Sequence, residues 1–335
     1  MYREAAQAPD AVREQLQANA ARVARLTERL RQAPPRAVVT CARGSSDHAA
    51  TFARYLIETR LGLLTSSAAP SVSSVYDARP DLAGAVVLAI SQSGASPDLL
   101  ATVSSARAAG AYIVALVNAE TSPLAQLADD LIPLCAGTER SVAATKSYIA
   151  SLAAIVHLVA SWSRDAQLAA ALQQAPELLE RAWQLDWSAA VTHLTPANNL
   201  YVIGRGLGLA IAQEAALKLK ETCALHAEAV SAAELRHGPM ALVRAGFPLL
   251  IFTQNDESRS GVTQLAAELA AQGADVLLAG AGAARATILP TEAAHPVIEP
   301  LLFAQSFYRM ANALSLARGG DPDRPPHLYK VTETL

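Results

Sequence analysis

Cysteine is scarce in this 335-residue chain: Cys41, Cys135 and Cys223 are odd in number, widely spaced and form no CxxC pair. That excludes a disulfide framework and reads as reduced thiols in a cytoplasmic protein. Basic blocks are missing too. The formal net charge is −3 and no Lys/Arg run stands out, so the footprint of a nucleic-acid partner is absent. The longest apolar run, YIASLAAIVHLVASW, contains His157 and is too short to span a bilayer comfortably; it reads as a buried helix. The opening MYREAAQAPDAVREQL is charged from its third residue, so no signal peptide is expected. No H-E-x-x-H zinc motif and no G-x-x-x-x-G-K-[ST] phosphate loop occur. What is abundant is apolar: 52% of residues are hydrophobic and only 17% charged, enough to fill a large interior, and the length suits two lobes. A soluble protein with no membrane partner is expected.

Residues 10–32 recur at helical spacing and Pro34-Pro35 stop that helix. RAVVTCARG, AGAVVLAISQSG and AYIVALVN then read as buried strands, each followed by a small-polar loop and a helical pattern, with DLIPLC as a further strand. A long apolar helix is expected from about Thr145 to Trp162. After a polar, Trp-containing helical stretch (roughly 165–188) the scheme repeats with the strands NLYVIGRG, FPLLIFTQND and ADVLLAG. Continuous Val/Ile/Leu strands alternating with helices predict parallel sheets covered on both faces, hence α/β architecture in two doubly wound lobes. The expected organisation is an N-terminal helical segment (1–30), a first domain (31–165), a second (185–320) and a tail (321–335). That tail, DPDRPPHLYKVTETL, is Pro-rich and expected to be extended.

In open α/β sheets, ligands bind beyond the carboxyl ends of the strands, where helix N-termini point outward. Ser91-Gln92-Ser93-Gly94-Ala95-Ser96 stands between a strand and the helix start Ser96-Pro97-Asp98, with Ser at N-cap and Pro at N1. GSSD (Gly44 to Asp47) repeats the device. Such serines can simply cap helices and line turns. Two such loops after successive strands favour an anion site instead, and a phosphate carried by a small molecule fits it. The GRGLGL stretch (Gly204 to Leu209) has Leu209 in place of the third glycine of a dinucleotide fingerprint, so a dinucleotide is weakly supported.

On QEAALKLKET, Glu214, Lys218 and Glu221 fall at i, i+4 and i+7, within one narrow helical stripe. One reading is a solvent-facing salt bridge, worth little. The other is proton abstraction next to a carbonyl, with a carboxylate taking the proton and a lysine stabilising the developing enolate oxygen. HAEAVSAAELRHGPM follows, with His226, Glu228, Glu234 and His237. His237-Gly238-Pro239 predicts a turn where an imidazole can stay partly exposed.

Taken together, GSSDHAATFARY, SQSGAS, SVAATK, ALKLKE, HAEAVSAAELRHGP and DPDRPPHLYKVT resemble, in order and over nearly the whole chain, the isomerase part of glucosamine-6-phosphate synthase. That part consists of two sugar isomerase (SIS) domains. The resemblance implies that Ser45, Ser46, Ser91, Gln92, Ser93 and Ser96 bind the sugar phosphate and nearby hydroxyls, and that Val142 and Ala143 line the sugar site. It implies that Glu221 moves a proton between C1 and C2 with Lys218 beside it and Glu214 in support. His237 would open the sugar ring and reach into a neighbouring subunit's site, so a homodimer with shared sites is expected. Lys330 would close over the sugar near C2, where it can form an imine. Ala144 stands where the synthases commonly carry serine, and Ala95 where they carry glutamate.

The synthases place a nucleophilic cysteine of a glutaminase domain directly after the initiator Met; here Tyr2 holds that place. The resemblance therefore implies the chemistry run toward release of ammonia, as in SIS-type glucosamine-6-phosphate deaminases, without metal or cofactor. The alternatives are an aldose–ketose phosphate isomerase, a galactosamine-6-phosphate deaminase, a sugar–amine deglycase, or a non-catalytic phosphosugar sensor. SIS regulators usually carry a helix-turn-helix domain, for which the roughly 30 residues before the first strand leave no room.

Overall fold

The computed structural model describes residues 1–280, 282–283 and 285–330. The chain divides into two units. A first lobe comprises Asp10–Glu139, Lys146–Gln173 and the terminal Tyr329 and Lys330; a second comprises Met1–Pro9, Arg140–Thr145 and Gln174–Leu328.

The first lobe runs α1 (Ala8–Gln32), β1 (Val38–Cys41), α2 (Ser45–Leu61), β2 (Thr65–Ser67), a short helix (Pro70–Ser74), β3 (Val86–Ser91), α3 (Pro97–Ala108), β4 (Tyr112–Val117), α4 (Pro123–Leu127), β5 (Asp130–Pro133), α5 (Lys146–Ser163) and α6 (Ala166–Gln173). Its five strands are parallel, in the order β2-β1-β3-β4-β5. Every residue of β3 and all but the first of β4 are buried, which is why these central strands read as unbroken apolar runs. On one face α3 and α4 pack Leu99, Val103 and Leu124 against Val87, Ala89, Ile113 and Ala115. The apolar run of α5 is a helix buried on nearly every side, packed against α2 and α6. Burial pushes its His157 below the ordinary histidine pKa. The buried amides of α1 satisfy carbonyls at the end of β5: Gln15 Nε2 donates to Leu134 O at 3.0 Å and Asn19 Nδ2 to Pro133 O at 2.7 Å.

The second lobe contains a helical turn (Tyr2–Ala5), then α7 (Ala175–Gln184), α8 (Ser188–Leu194), β6 (Asn199–Gly204), α9 (Gly208–Cys223), β7 (His226–Ser231), β8 (Pro248–Phe252), α10 (Arg259–Ala271), β9 (Asp275–Ala279), β10 (Thr287–Leu289) and α11 (Glu299–Ala317). Its sheet is also parallel and five-stranded, ordered β10-β9-β8-β6-β7. Counted from the β7 edge this is the same winding as in the first lobe. Val262, Leu265 and Leu269 of α10 cover one face, while α9 and α11 pack together. The architecture is thus two doubly wound parallel α/β lobes, each with helices on both faces.

Several elements differ from the expectations above. The helical stretch after α5 is divided between α6 and α7. β2, β7, β10, α8 and α11 carried no expectation. β2 and β10 are three-residue edge strands, and β7 is an edge strand whose His226 and Glu228 face solvent, so none has an apolar run to announce it. The tail through Lys330 is turns and irregular backbone rather than extended chain, with Arg324 N–H donating to Asp321 O at 3.2 Å. The remainder of the tail, 331–335, lies outside the described residues.

Candidate active site

In the winding order 2-1-3-4-5, the connections leave neighbouring strands β1 and β3 in opposite directions, opening a crevice at their carboxyl ends. The two serine loops occupy that crevice, because β1 and β3 are hydrogen-bonded neighbours. After β1, Ser45 and Ser46 form the first turn of α2 behind Gly44 at N-cap, half-buried, where a helix was expected to begin. After β3, Ser91 is 7% exposed and its hydroxyl oxygen accepts the Gly94 N–H at 2.9 Å, folding the loop into a tight turn. Gly94 has φ +63°, and a Cβ there would stand 2.2 Å from Ser122 Oγ, so a side chain has no space. Gln92, Ser93 and Ser96 remain half-buried around that turn. Ser96 is the N-cap of α3, but its side chain makes no capping bond. The arrangement presents hydroxyls at two helix N-termini, whose partial positive charge suits an anion.

Two residues outside the motifs join these loops. Arg43, from the β1 loop, donates through Nε to Asp98 Oδ2 at 2.7 Å and places its terminal nitrogen at 2.6 Å from the same oxygen. Asp98 lies in the first turn of α3 and is 1% exposed. Burial, with the charge of Asp98 second, pushes the thiol of neighbouring Cys41 up to about 12, so Cys41 stays a thiol. Burial also raises Asp47 above the ordinary aspartate range. The other cysteines are free as well, and burial pushes Cys223 up to about 11.

In the second lobe, a Cβ on Gly204 would lie 2.1 Å from Gly208 O, so Gly204 serves close strand–helix packing. α9 then carries Glu214, Lys218 and Glu221 into a buried chain of partners. Tyr308, from α11, donates to Glu214 Oε1 at 2.9 Å; Lys218 Nζ lies 3.6 Å from Glu214 Oε1 and donates to Glu221 Oε2 at 2.5 Å. Glu214 and Lys218 are 0% and 1% exposed, whereas Glu221 is 22% exposed. The solvent-facing salt bridge is therefore not what the helix forms. One ammonium is shared by two carboxylates, and the outer one reaches the surface.

Val142 and Ala143 lie in the 140–145 segment of the same lobe, strapped by groups that sequence reading did not single out. Glu4 Oε1 accepts the Arg140 N–H at 2.5 Å, Glu4 Oε2 accepts the Ser141 N–H at 3.2 Å, and the Val142 N–H donates to Asp323 O at 3.3 Å. His237 ends a short 3-10 turn (Glu234–His237) and is exposed. Among the described residues it forms no hydrogen bond or ion pair with the Glu214–Lys218–Glu221 group. In the first lobe, Lys330 Nζ lies 3.7 Å from Glu139 Oε2.

A cavity of about 560 Å³ opens at the opposite, amino end of the second sheet, lined by Tyr201, His226, Glu228, Arg244 and the His193–Asp275 pair (2.8 Å). No helix N-terminus or motif serine faces it, so the strand carboxyl ends remain the better candidate. No group of three or more His, Cys, Asp or Glu able to hold a metal occurs among the described residues. Nor is any helix among them long and apolar enough to cross a membrane.

Comparison with known proteins identifies the family and the fold. A SIS domain model matches residues 30–161 and 193–279. The chain is 33% identical over 309 residues to glutamine–fructose-6-phosphate aminotransferase [isomerizing] of Aeropyrum pernix, covering 86% of this chain and 49% of that protein. It thus spans about half the length of the curated relatives it matches. A candidate phosphosugar isomerase from Silicibacter pomeroyi DSS-3 superposes with a TM-score of 0.92 at 44% identity, covering 96% of this chain and 99% of that one. A glucosamine-6-phosphate deaminase from Thermotoga maritima shares the fold, with a TM-score of 0.75 at 20% identity over 97% of this chain and 100% of its own.

Proposed function

The chain belongs to the SIS domain family, and from that premise we propose that it is an amino sugar phosphate deaminase, converting glucosamine 6-phosphate and water to fructose 6-phosphate and ammonia. The observation that carries this reading is the buried Tyr308–Glu214–Lys218–Glu221 chain, which holds one partly exposed carboxylate in a fixed place. That is what a base needs if it must take a proton from one carbon and return it to the next. The serine loops take the phosphate, with Ser45, Ser46, Gln92, Ser93 and Ser96 as its donors and Ser91 shaping the turn while its own O–H stays able to donate.

The steps balance without an added oxidant. His237 assists ring opening to the C1 aldehyde. Glu221 removes the C2 proton, giving an enolamine, and returns it to C1; the C1 oxygen gains a proton and C2 becomes an imine. Water adds to that imine and ammonia leaves, so the C2 carbonyl of fructose 6-phosphate remains. Lys218, buried between two carboxylates, orients Glu221 rather than meeting solvent. Lys330 works at C2. Val142 and Ala143 line the sugar site, and His237, exposed on its turn, serves the site of a second copy in a homodimer in the cytoplasm.

The likeness to aminotransferases that act on fructose 6-phosphate supports nitrogen chemistry at C2 over plain aldose–ketose isomerisation. The test is a panel of amino sugar 6-phosphates assayed for ammonia and ketose phosphate. Equimolar ammonia and fructose 6-phosphate from glucosamine 6-phosphate are expected, with activity surviving a chelator. Isomerised amine-free sugar as the only product refutes the deaminase.

A further inference from the structure

Lys330 is met by a carboxylate that no motif singled out. Glu139 has a side chain that is 0% exposed, and Lys330, 27% exposed, places its Nζ at 3.7 Å from Glu139 Oε2. The carboxylate is itself held: it accepts the Ser147 hydroxyl at 2.6 Å and the Ser147 N–H at 3.3 Å. Ser147 stands in the first turn of α5, where the helix dipole favours a negative charge. Glu139 is thus an anion fixed in position and orientation before the lysine arrives, whereas lysine's four-carbon stem samples many rotamers unless its ammonium is held.

We propose that Glu139 is a positioning residue for Lys330, holding its ammonium in the place from which it serves the sugar. This rests on the reading of Lys330 given above. Glu139 touches no reacting atom; it acts through the lysine.

Hydrogen exchange at the backbone amides of Tyr329 and Lys330 tests this in sugar-free protein. Glu139→Gln keeps the shape and an acceptor oxygen for Ser147 but removes the charge. It should speed exchange there about five-fold, as expected for loss of one partly exposed ion pair. Lys330→Met should do the same, the double variant should exchange no faster than either single one, and Lys330→Arg should stay slow. In turnover, Glu139→Gln should lower kcat with little change in KM, and should have no further effect in the Lys330→Met background. Unchanged exchange in Lys330→Met, or effects of the two substitutions that simply add, overturns the assignment; additivity would mean that Glu139 acts only on the start of α5. Should Glu139→Gln fail to fold, the contrast between Lys330→Met and Lys330→Arg still decides, since both change the partly exposed partner. Exchange needs no sugar, so it separates failure of this assignment from failure of the deaminase reading, which wild-type ammonia release decides.

Discussion

Replacing Lys218 with methionine separates the structural from the chemical role of the buried chain on α9. Methionine fills a similar volume, so little cavity forms, and the main loss is charge. Glu214, 0% exposed, loses the ammonium that stands 3.6 Å from its Oε1. Removing one partner of a buried ion pair destabilises by about 3–5 kcal/mol, because the remaining charge stays out of water uncompensated. An exposed pair would be worth only about 0–1 kcal/mol. At about 2–4 °C per kcal/mol for a unit of this size, the thermal midpoint should fall by about 6–20 °C. Adding Glu214→Gln removes the orphaned charge while keeping an oxygen for the Tyr308 hydroxyl, so the double variant should regain much of the lost stability. It should not regain activity, because Glu221 Oε2 has still lost the donor 2.5 Å away that orients it. Circular dichroism melts of the four proteins, with kcat measured on each, make the comparison. A shift of 2 °C or less for Lys218→Met, or no recovery in a folded double variant, refutes the buried-chain account.

Gly94→Ala should raise KM for the sugar phosphate about 10-fold or more, because the Cβ would meet Ser122 Oγ at 2.2 Å and force the β3 loop open; Gly62→Ala, at a similar φ of +66° but in open space, should leave KM alone. Ser93→Ala should likewise act on KM, since a phosphate is bound in ground and transition states alike, while Glu221→Gln should lower kcat; the reverse pattern removes the phosphate assignment. Mixing inactive Glu221→Gln with inactive His237→Ala should restore part of the activity after subunit exchange, and none despite proven exchange rules out a shared site. Glu299 is held above its usual 4.5 by burial, so the folded state binds its proton more tightly than the unfolded chain. Stability from this group is therefore present at low pH and lost as pH rises through the raised value. Thermal midpoints should show Glu299→Gln more stable than wild type at pH 7.5 and the advantage shrinking near pH 4; an advantage independent of pH contradicts the assignment.

Much of the fold was legible in the residues because burial on both faces leaves a local mark. β3 up to Ile90 and β4 must be apolar, and their helices must begin at small polar residues, so strand, loop and helix follow one another in readable order. β2, β7 and β10 sit at sheet edges, where solvent tolerates His226 and Glu228, and the mark disappears. The stripe of Glu214, Lys218 and Glu221 was equally local, fixed by 3.6 residues per turn. Its burial was not: that depends on α11, whose Tyr308 is 94 residues from Glu214. The same holds for Arg43 and Asp98, 55 residues apart, and for Glu139 and Lys330. Periodicity and capping are properties of neighbours along the chain, so the sequence by itself determined the central strands and most of their helices, their parallel winding and the serine-rich strand ends. Strand order, and which charges are taken out of water and with what partner, depend on residues brought together from distant segments. The tertiary structure alone decided, therefore, that a helical stripe readable as a surface salt bridge is a buried support for one carboxylate.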